Sequence, residues 1–80
     1  MSGLTLYSGP NCPACIEADR WLTANGYAFE KVDVTTNPEL IKQLAATTGQ
    51  RTIPQFFFNG NWLTRGFQDV QTLASQGRLG

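Results

Sequence analysis

The sequence contains no histidine in its 80 residues. That removes the side chain that most often serves as a general base near neutral pH and most often ligates metal ions. It also has no excess of either charge, since six Lys and Arg offset six Asp and Glu. A neutral chain without a basic run offers no electrostatic footprint for nucleic acid or for an anionic membrane surface. No apolar stretch approaches the ~20 residues of a membrane span. The opening Met-Ser-Gly-Leu-Thr-Leu-Tyr lacks a basic segment ahead of an apolar one, so no secretory signal is expected and a cytoplasmic protein is. Repeats, low-complexity tracts and linkers are missing too, and the length suits one domain over residues 1–80.

Hydrophobic residues make up 41% of the chain, enough for a packed core and too many for disorder. Leu4-Thr5-Leu6-Tyr7 alternates and runs into Ser8-Gly9-Pro10-Asn11, a strand followed by a turn. Pro13 suits the first position of a helix, where its missing N–H costs little. Ile16, Ala18, Trp21 and Leu22 follow near one apolar face at helical spacing, and Asn25-Gly26 ends the helix. Tyr27 to Val34 alternates as a second strand. Asn37-Pro38 opens a helix striped by Leu40, Ile41, Leu44 and Ala45, which Gly49 stops. Gln55-Phe56-Phe57-Phe58, the hairpin signal Asn59-Gly60 and Trp62-Leu63-Thr64 predict two antiparallel strands. A last helix is expected over Asp69 to Gln76. The order β-α-β-α-β-β-α implies an α/β fold, a four-stranded mixed sheet flanked by helices, with a right-handed first crossover. Tyr7, Phe56, Phe58 and Leu63 read as core, Trp62 and Phe57 as outward-facing, and Glu17, Asp19 and Arg20 as a solvated helix face.

The two cysteines, Cys12 and Cys15, fall where the first strand gives way to the first helix. At a helix N-terminus the unpaired N–H groups and the positive end of the dipole favour a thiolate, the attacking species in disulfide exchange. Cys15 lies one turn further on and deeper. Cys12 would attack a disulfide, and Cys15 would then resolve the mixed disulfide. A zinc site needs about four ligands. A structural disulfide this short would close a very small loop and stabilise little. Two unrelated core cysteines remain a third alternative. The strand–turn–helix setting favours the redox pair.

Three segments together resemble the glutaredoxin family: Leu6-Tyr7-Ser8 through Cys12-Pro13-Ala14-Cys15, Thr48-Gly49-Gln50-Arg51-Thr52-Ile53-Pro54, and Gly66-Phe67-Gln68-Asp69. The resemblance spans nearly the whole chain and implies a thioredoxin-like fold and glutathione-coupled disulfide reduction, with glutathione a co-substrate rather than a bound cofactor and no metal. It implies a cis bond before Pro54, with the Ile53 backbone pairing with the cysteinyl unit of glutathione. Gln50 and Arg51 would hold its glycyl carboxylate, with Thr52, Ile53 and Pro54 forming the adjoining turn of the glutathione site. In the Gly66-Phe67-Gln68-Asp69 segment, Phe67 and Gln68 would offer helix-terminal N–H groups to the γ-glutamyl carboxylate, and Asp69 would either hold the amine or cap the helix. The partners implied are glutathione and disulfide-bearing proteins, ribonucleotide reductase being one candidate, acting on a monomer.

The chain departs from the family pattern at four places. Gly9 replaces a common lysine, Ala14 a tyrosine between the cysteines, Arg65 the first glycine of Gly-Gly and Gln68 an aspartate. Two neighbouring readings stand beside this one: Gly66-Phe67 after the hairpin also resembles glutaredoxin-like hydrogen donors reduced by thioredoxin reductase, and the small Ala14 would make room in a dimer holding a [2Fe–2S] cluster through Cys12 and glutathione. Pro13 and the resolving Cys15 favour disulfide exchange over the cluster.

Overall fold

The computed structural model describes residues 3–79. Strand β1 (Leu4–Ser8) alternates buried and half-buried positions, as its sequence pattern demands. Helix α1 (Pro13–Ala24) follows, then β2 (Glu30–Asp33), α2 (Pro38–Thr48), β3 (Gln55–Phe58), β4 (Asn61–Trp62) and α3 (Phe67–Ser75). The sheet order is β2-β1-β3-β4. β1 runs parallel to β2 and antiparallel to β3, with Leu6 opposite Lys31 on one side and Phe56 on the other. This is the mixed four-stranded sheet expected.

Local signals placed most boundaries. Asn37 caps α2 by accepting the Leu40 N–H at 3.2 Å, and Gly49 ends it in the left-handed region at φ 72°. Asn59 and Gly60 both take positive φ, 51° and 83°, which the tight β3–β4 hairpin requires. The core lies on one face of the sheet, where Leu4, Leu6 and Phe56 meet Ala18 and Leu22 of α1 and Val70 and Leu73 of α3.

Five expectations are corrected. Ile16 is 51% exposed and outside the core. The buried stripe of α1 is Cys15, Ala18 and Leu22, and Ile16 lies about 100° round the helix from Cys15. Tyr7 is absent from the core cluster, because strand alternation turns it to the opposite face, edge-on to Phe57 at 5.4 Å. β2 begins at Glu30 rather than Tyr27: its partner β1 is short, and the ladder starts with Thr5 opposite Glu30. β4 ends at Trp62, although the Leu63 N–H still reaches Phe56 O at 2.9 Å. α3 begins at Phe67, so Asp69 lies inside its first turn. Leu79, not singled out in the sequence, is 1% exposed within the core cluster.

Candidate active site

β1 delivers the chain to a turn through Gly9, Pro10 and Asn11, and Asn11 takes φ 56° to close it. The next residue, Cys12, is extended and caps α1, with Pro13 at the helix start. Its Sγ accepts the Cys15 N–H at 3.2 Å, an orphan donor of the first turn. Cys12 and Cys15 are joined as a disulfide, their Cα atoms 5.2 Å apart. The two sulfurs are unequally accessible. Cys15 is 2% exposed, Cys12 is half-buried, and Pro13 and Ala14 between them are exposed.

A distant segment completes this centre. The Ile53–Pro54 bond is cis, and the Ile53 carbonyl oxygen lies 4.0 Å from Cys12 Sγ. Gly9 packs behind that contact. A Cβ at Gly9 would come within 2.9 Å of both Ile53 Cδ1 and Thr35 Cγ2, so a lysine there would have to displace both or shift the turn. The missing lysine thus coincides with close packing of the Ile53 side chain against the turn.

Gln50, Arg51 and Thr52 are exposed and share a cleft of about 140 Å³ with Ile53, Val34, Thr35, Ile41 and Leu44. Their loop is held at both ends. The Thr48 hydroxyl accepts the Gln50 N–H at 3.1 Å and donates to Leu44 O at 2.8 Å. The buried Gln55 donates through Nε2 to Gln50 Oε1 at 3.0 Å and to Thr52 O at 3.1 Å, and its Oε1 accepts the Trp62 indole N–H at 3.0 Å. Trp62, which the sequence pattern turns outward, is instead half-buried with its indole N–H bonded to Gln55, a residue the sequence motifs leave out. A glutamine opening an aromatic strand was the only signal available, and it identifies no partner.

Gly66, Phe67, Gln68 and Asp69 form the start of α3, which has no side chain on its cap position. Because β3 and β4 are antiparallel, the exit of β4 lies at the same end of the sheet as the entry of β3 and the exit of β1. The N-termini of α1 and α3 therefore share that end. Phe67 contributes only its backbone there, since its ring stacks on Phe56 at 6.1 Å and meets Trp21 edge-on at 5.4 Å. Asp69 is engaged. Its carboxylate accepts the Arg65 N–H at 2.9 Å and the Arg65 Nε–H at 3.0 Å. It thus ties down the residue before the helix cap from the first turn, and Arg65, where the family has glycine, is its partner.

The family model for glutaredoxin matches residues 4–63, which hold the disulfide, the cis bond and the stapled loop. The chain belongs to the glutaredoxin family. A glutaredoxin of Neisseria meningitidis serogroup A is 36% identical over 80 residues, which is 99% of this chain and 93% of that protein. The crystal structure of wheat glutaredoxin superposes with a TM-score of 0.75 at 31% identity, covering 98% of this chain and 74% of the wheat chain. A buckwheat glutaredoxin–glutathione complex shares the fold at TM-score 0.76 and 22% identity, over 96% of this chain and 72% of the buckwheat chain. Membership in the glutaredoxin family, with the Cys12–Cys15 pair at a helix N-terminus, makes the chain a thiol–disulfide oxidoreductase.

The Arg65–Asp69 pair has a measurable consequence. The Arg65 backbone N–H, and then its side chain, hold the Asp69 carboxyl below the usual carboxylate range. A depressed folded-state pKa gives stability that is present above the unfolded value and lost as pH falls through the folded one. Thermal unfolding between pH 6 and pH 2.5 should therefore show a loss on acidification below about pH 4. In Asp69→Asn that loss is smaller, and the difference between the proteins shrinks toward zero at the acid end. The effect is small, because an exposed pair of this kind is worth at most about 1 kcal/mol.

Proposed function

We propose that this glutaredoxin is a cytoplasmic, monomeric, glutathione-linked reductase of protein disulfides and of mixed disulfides with glutathione. The observation that carries the reading is the half-exposed Cys12 Sγ at the cap of α1, 4.0 Å from the Ile53 carbonyl, with Cys15 buried behind it. An incoming thiolate can reach one sulfur of the pair and not the other. In the reduced protein, the Cys15 N–H that now meets Cys12 Sγ would donate to a thiolate at the same place, together with the positive helix end.

The Cys12 thiolate attacks a target disulfide, forms a mixed disulfide and expels one target thiolate, which takes a proton. Cys15, deprotonated, attacks Cys12 and releases the second target thiol, leaving Cys12–Cys15 oxidised. One glutathione thiolate then attacks Cys12 Sγ, and Cys15 leaves and is protonated. A second glutathione takes the first as glutathione disulfide and returns the Cys12 thiolate. In this reading the Ile53 backbone pairs with the cysteinyl unit of glutathione as an added strand would. Gln50, Arg51 and Thr52 meet the glycyl carboxylate beside Pro54, and the N–H groups of Phe67 and Gln68, opened by Gly66, meet the γ-glutamyl carboxylate. Asp69, held by Arg65, acts here by ordering that helix start. The buckwheat protein of the same fold, seen as a complex with glutathione, supports the assignment.

Supplying electrons two ways tests it. With glutathione and glutathione reductase the protein should turn over; activity only with thioredoxin reductase would sink the glutathione assignment. Cys15→Ser should retain reduction of a glutathionylated peptide, which needs Cys12 alone. It should lose most of its rate on an intramolecular protein disulfide, measured side by side under the same reductant.

A further inference from the structure

We propose that Trp62 and Gln55 are positioning residues that set which end of the Gln50 amide faces a bound ligand. Hydrogen-bond polarity fixes the orientation of both amides. An indole N–H can only donate. The Gln55 atom that Trp62 meets at 3.0 Å must therefore be the amide oxygen, and the other end of Gln55 is its NH₂. A second contact independently requires this orientation: the same NH₂ lies 3.1 Å from the Thr52 carbonyl, which can only accept. With Gln55 so oriented, the Gln50 atom 3.0 Å away must be its oxygen. The Gln50 amide is thereby turned with its oxygen inward and its two N–H donors away from Gln55, on an exposed residue lining the cleft beside Ile53.

The direction matters because glutamine is otherwise indifferent. Its two ends are alike in shape and opposite in polarity, and a free Gln50 would present the wrong end to an anion much of the time. Gln55 is 5% exposed, so the inner part of the relay is shielded from competing water. The ligand class that fits outward N–H donors on Gln50 with Arg51 next in the chain is a carboxylate. This inference rests on the glutathione reading above, in which that group is the glycyl carboxylate.

Four proteins and three reductants test it: wild type, Trp62→Phe, Gln50→Glu and the double variant, with glutathione, its glycyl monoethyl ester and dithiothreitol. Trp62→Phe keeps an aromatic ring but loses the donor. Its KM for glutathione should rise roughly three- to tenfold, the span of one hydrogen bond. The kcat, and the rate of disulfide reduction by dithiothreitol, which has no carboxylate, should change less than twofold. Gln50→Glu still accepts from Gln55 but has nothing to donate outward, so it should raise KM at least as much. Adding Trp62→Phe to it should then raise KM no further, a non-additivity that independent structural damage would not produce. With the ester, wild type and Trp62→Phe should differ by less than twofold. Equal glutathione KM values for wild type and Trp62→Phe, or additive effects in the double variant, would overturn the relay while leaving the glutathione reading intact. A wild type that shows no saturation with glutathione would remove that reading and this role together.

Discussion

Cys12→Ser is expected to abolish thiol–disulfide exchange toward every substrate, lowering the rate at least about 10³-fold, as loss of a nucleophile does in other enzymes. The serine hydroxyl is somewhat smaller than the thiol and is not ionised near neutral pH, so the attacking species disappears while the helix cap survives. Cys15 cannot take over. It is 2% exposed, packed below the first turn, while Cys12 is the accessible sulfur. The measurement is turnover of a glutathionylated peptide and of a protein disulfide by wild type, Cys12→Ser and Cys15→Ser. If Cys15→Ser lost both activities while Cys12→Ser kept one, the roles assigned to the two cysteines would be reversed. The variant's thermal stability in its reduced form should match that of reduced wild type, which separates lost chemistry from lost fold.

Phe56→Ala is expected to have the largest effect on stability. Phe56 is fully buried in the central part of the sheet, opposite Leu6 on β1 and stacked on Phe67 of α3. It therefore links the sheet to the helix whose start borders the site. Truncating a buried phenylalanine costs about 3–5 kcal/mol, from lost transfer energy and the cavity left behind. Small domains have only about 5–15 kcal/mol in total, so much of the margin goes. At about 4–8 °C per kcal/mol for a domain of this size, the midpoint should fall by roughly 12–40 °C, read by circular dichroism during a thermal scan. Ile16→Ala is the control. Its side chain is 51% exposed, and the midpoint should move by no more than a few degrees, consistent with a change within about 0.5 kcal/mol. A drop in Ile16→Ala comparable to that in Phe56→Ala would mean that the core lies elsewhere than on the α1–α3 face.

Much of the fold was legible one segment at a time. Pro13 and Asn37 mark helix starts, Gly49 a left-handed end and Asn59-Gly60 a hairpin, because each carries its backbone preference in its own covalent structure. The spacing of Cys12 and Cys15 after a strand and turn likewise announced the redox pair, since one helical turn is all that separates them. Other features depended on which segments meet. Ile16 and Tyr7 are apolar enough for the core, yet the stripe of α1 and the alternation of β1 turn them away from it. Leu79 follows a turn with no periodicity to mark it, and only docking against the core buries it. The Ile53 carbonyl reaches Cys12 across 41 positions in the chain. The Trp62–Gln55–Gln50 relay needs an edge strand, a central strand and a loop brought together in one register. Local preference speaks for a residue's own dihedral angles and its nearest neighbours along the chain. Contacts between distant segments follow from sheet register and close packing, which no single segment encodes.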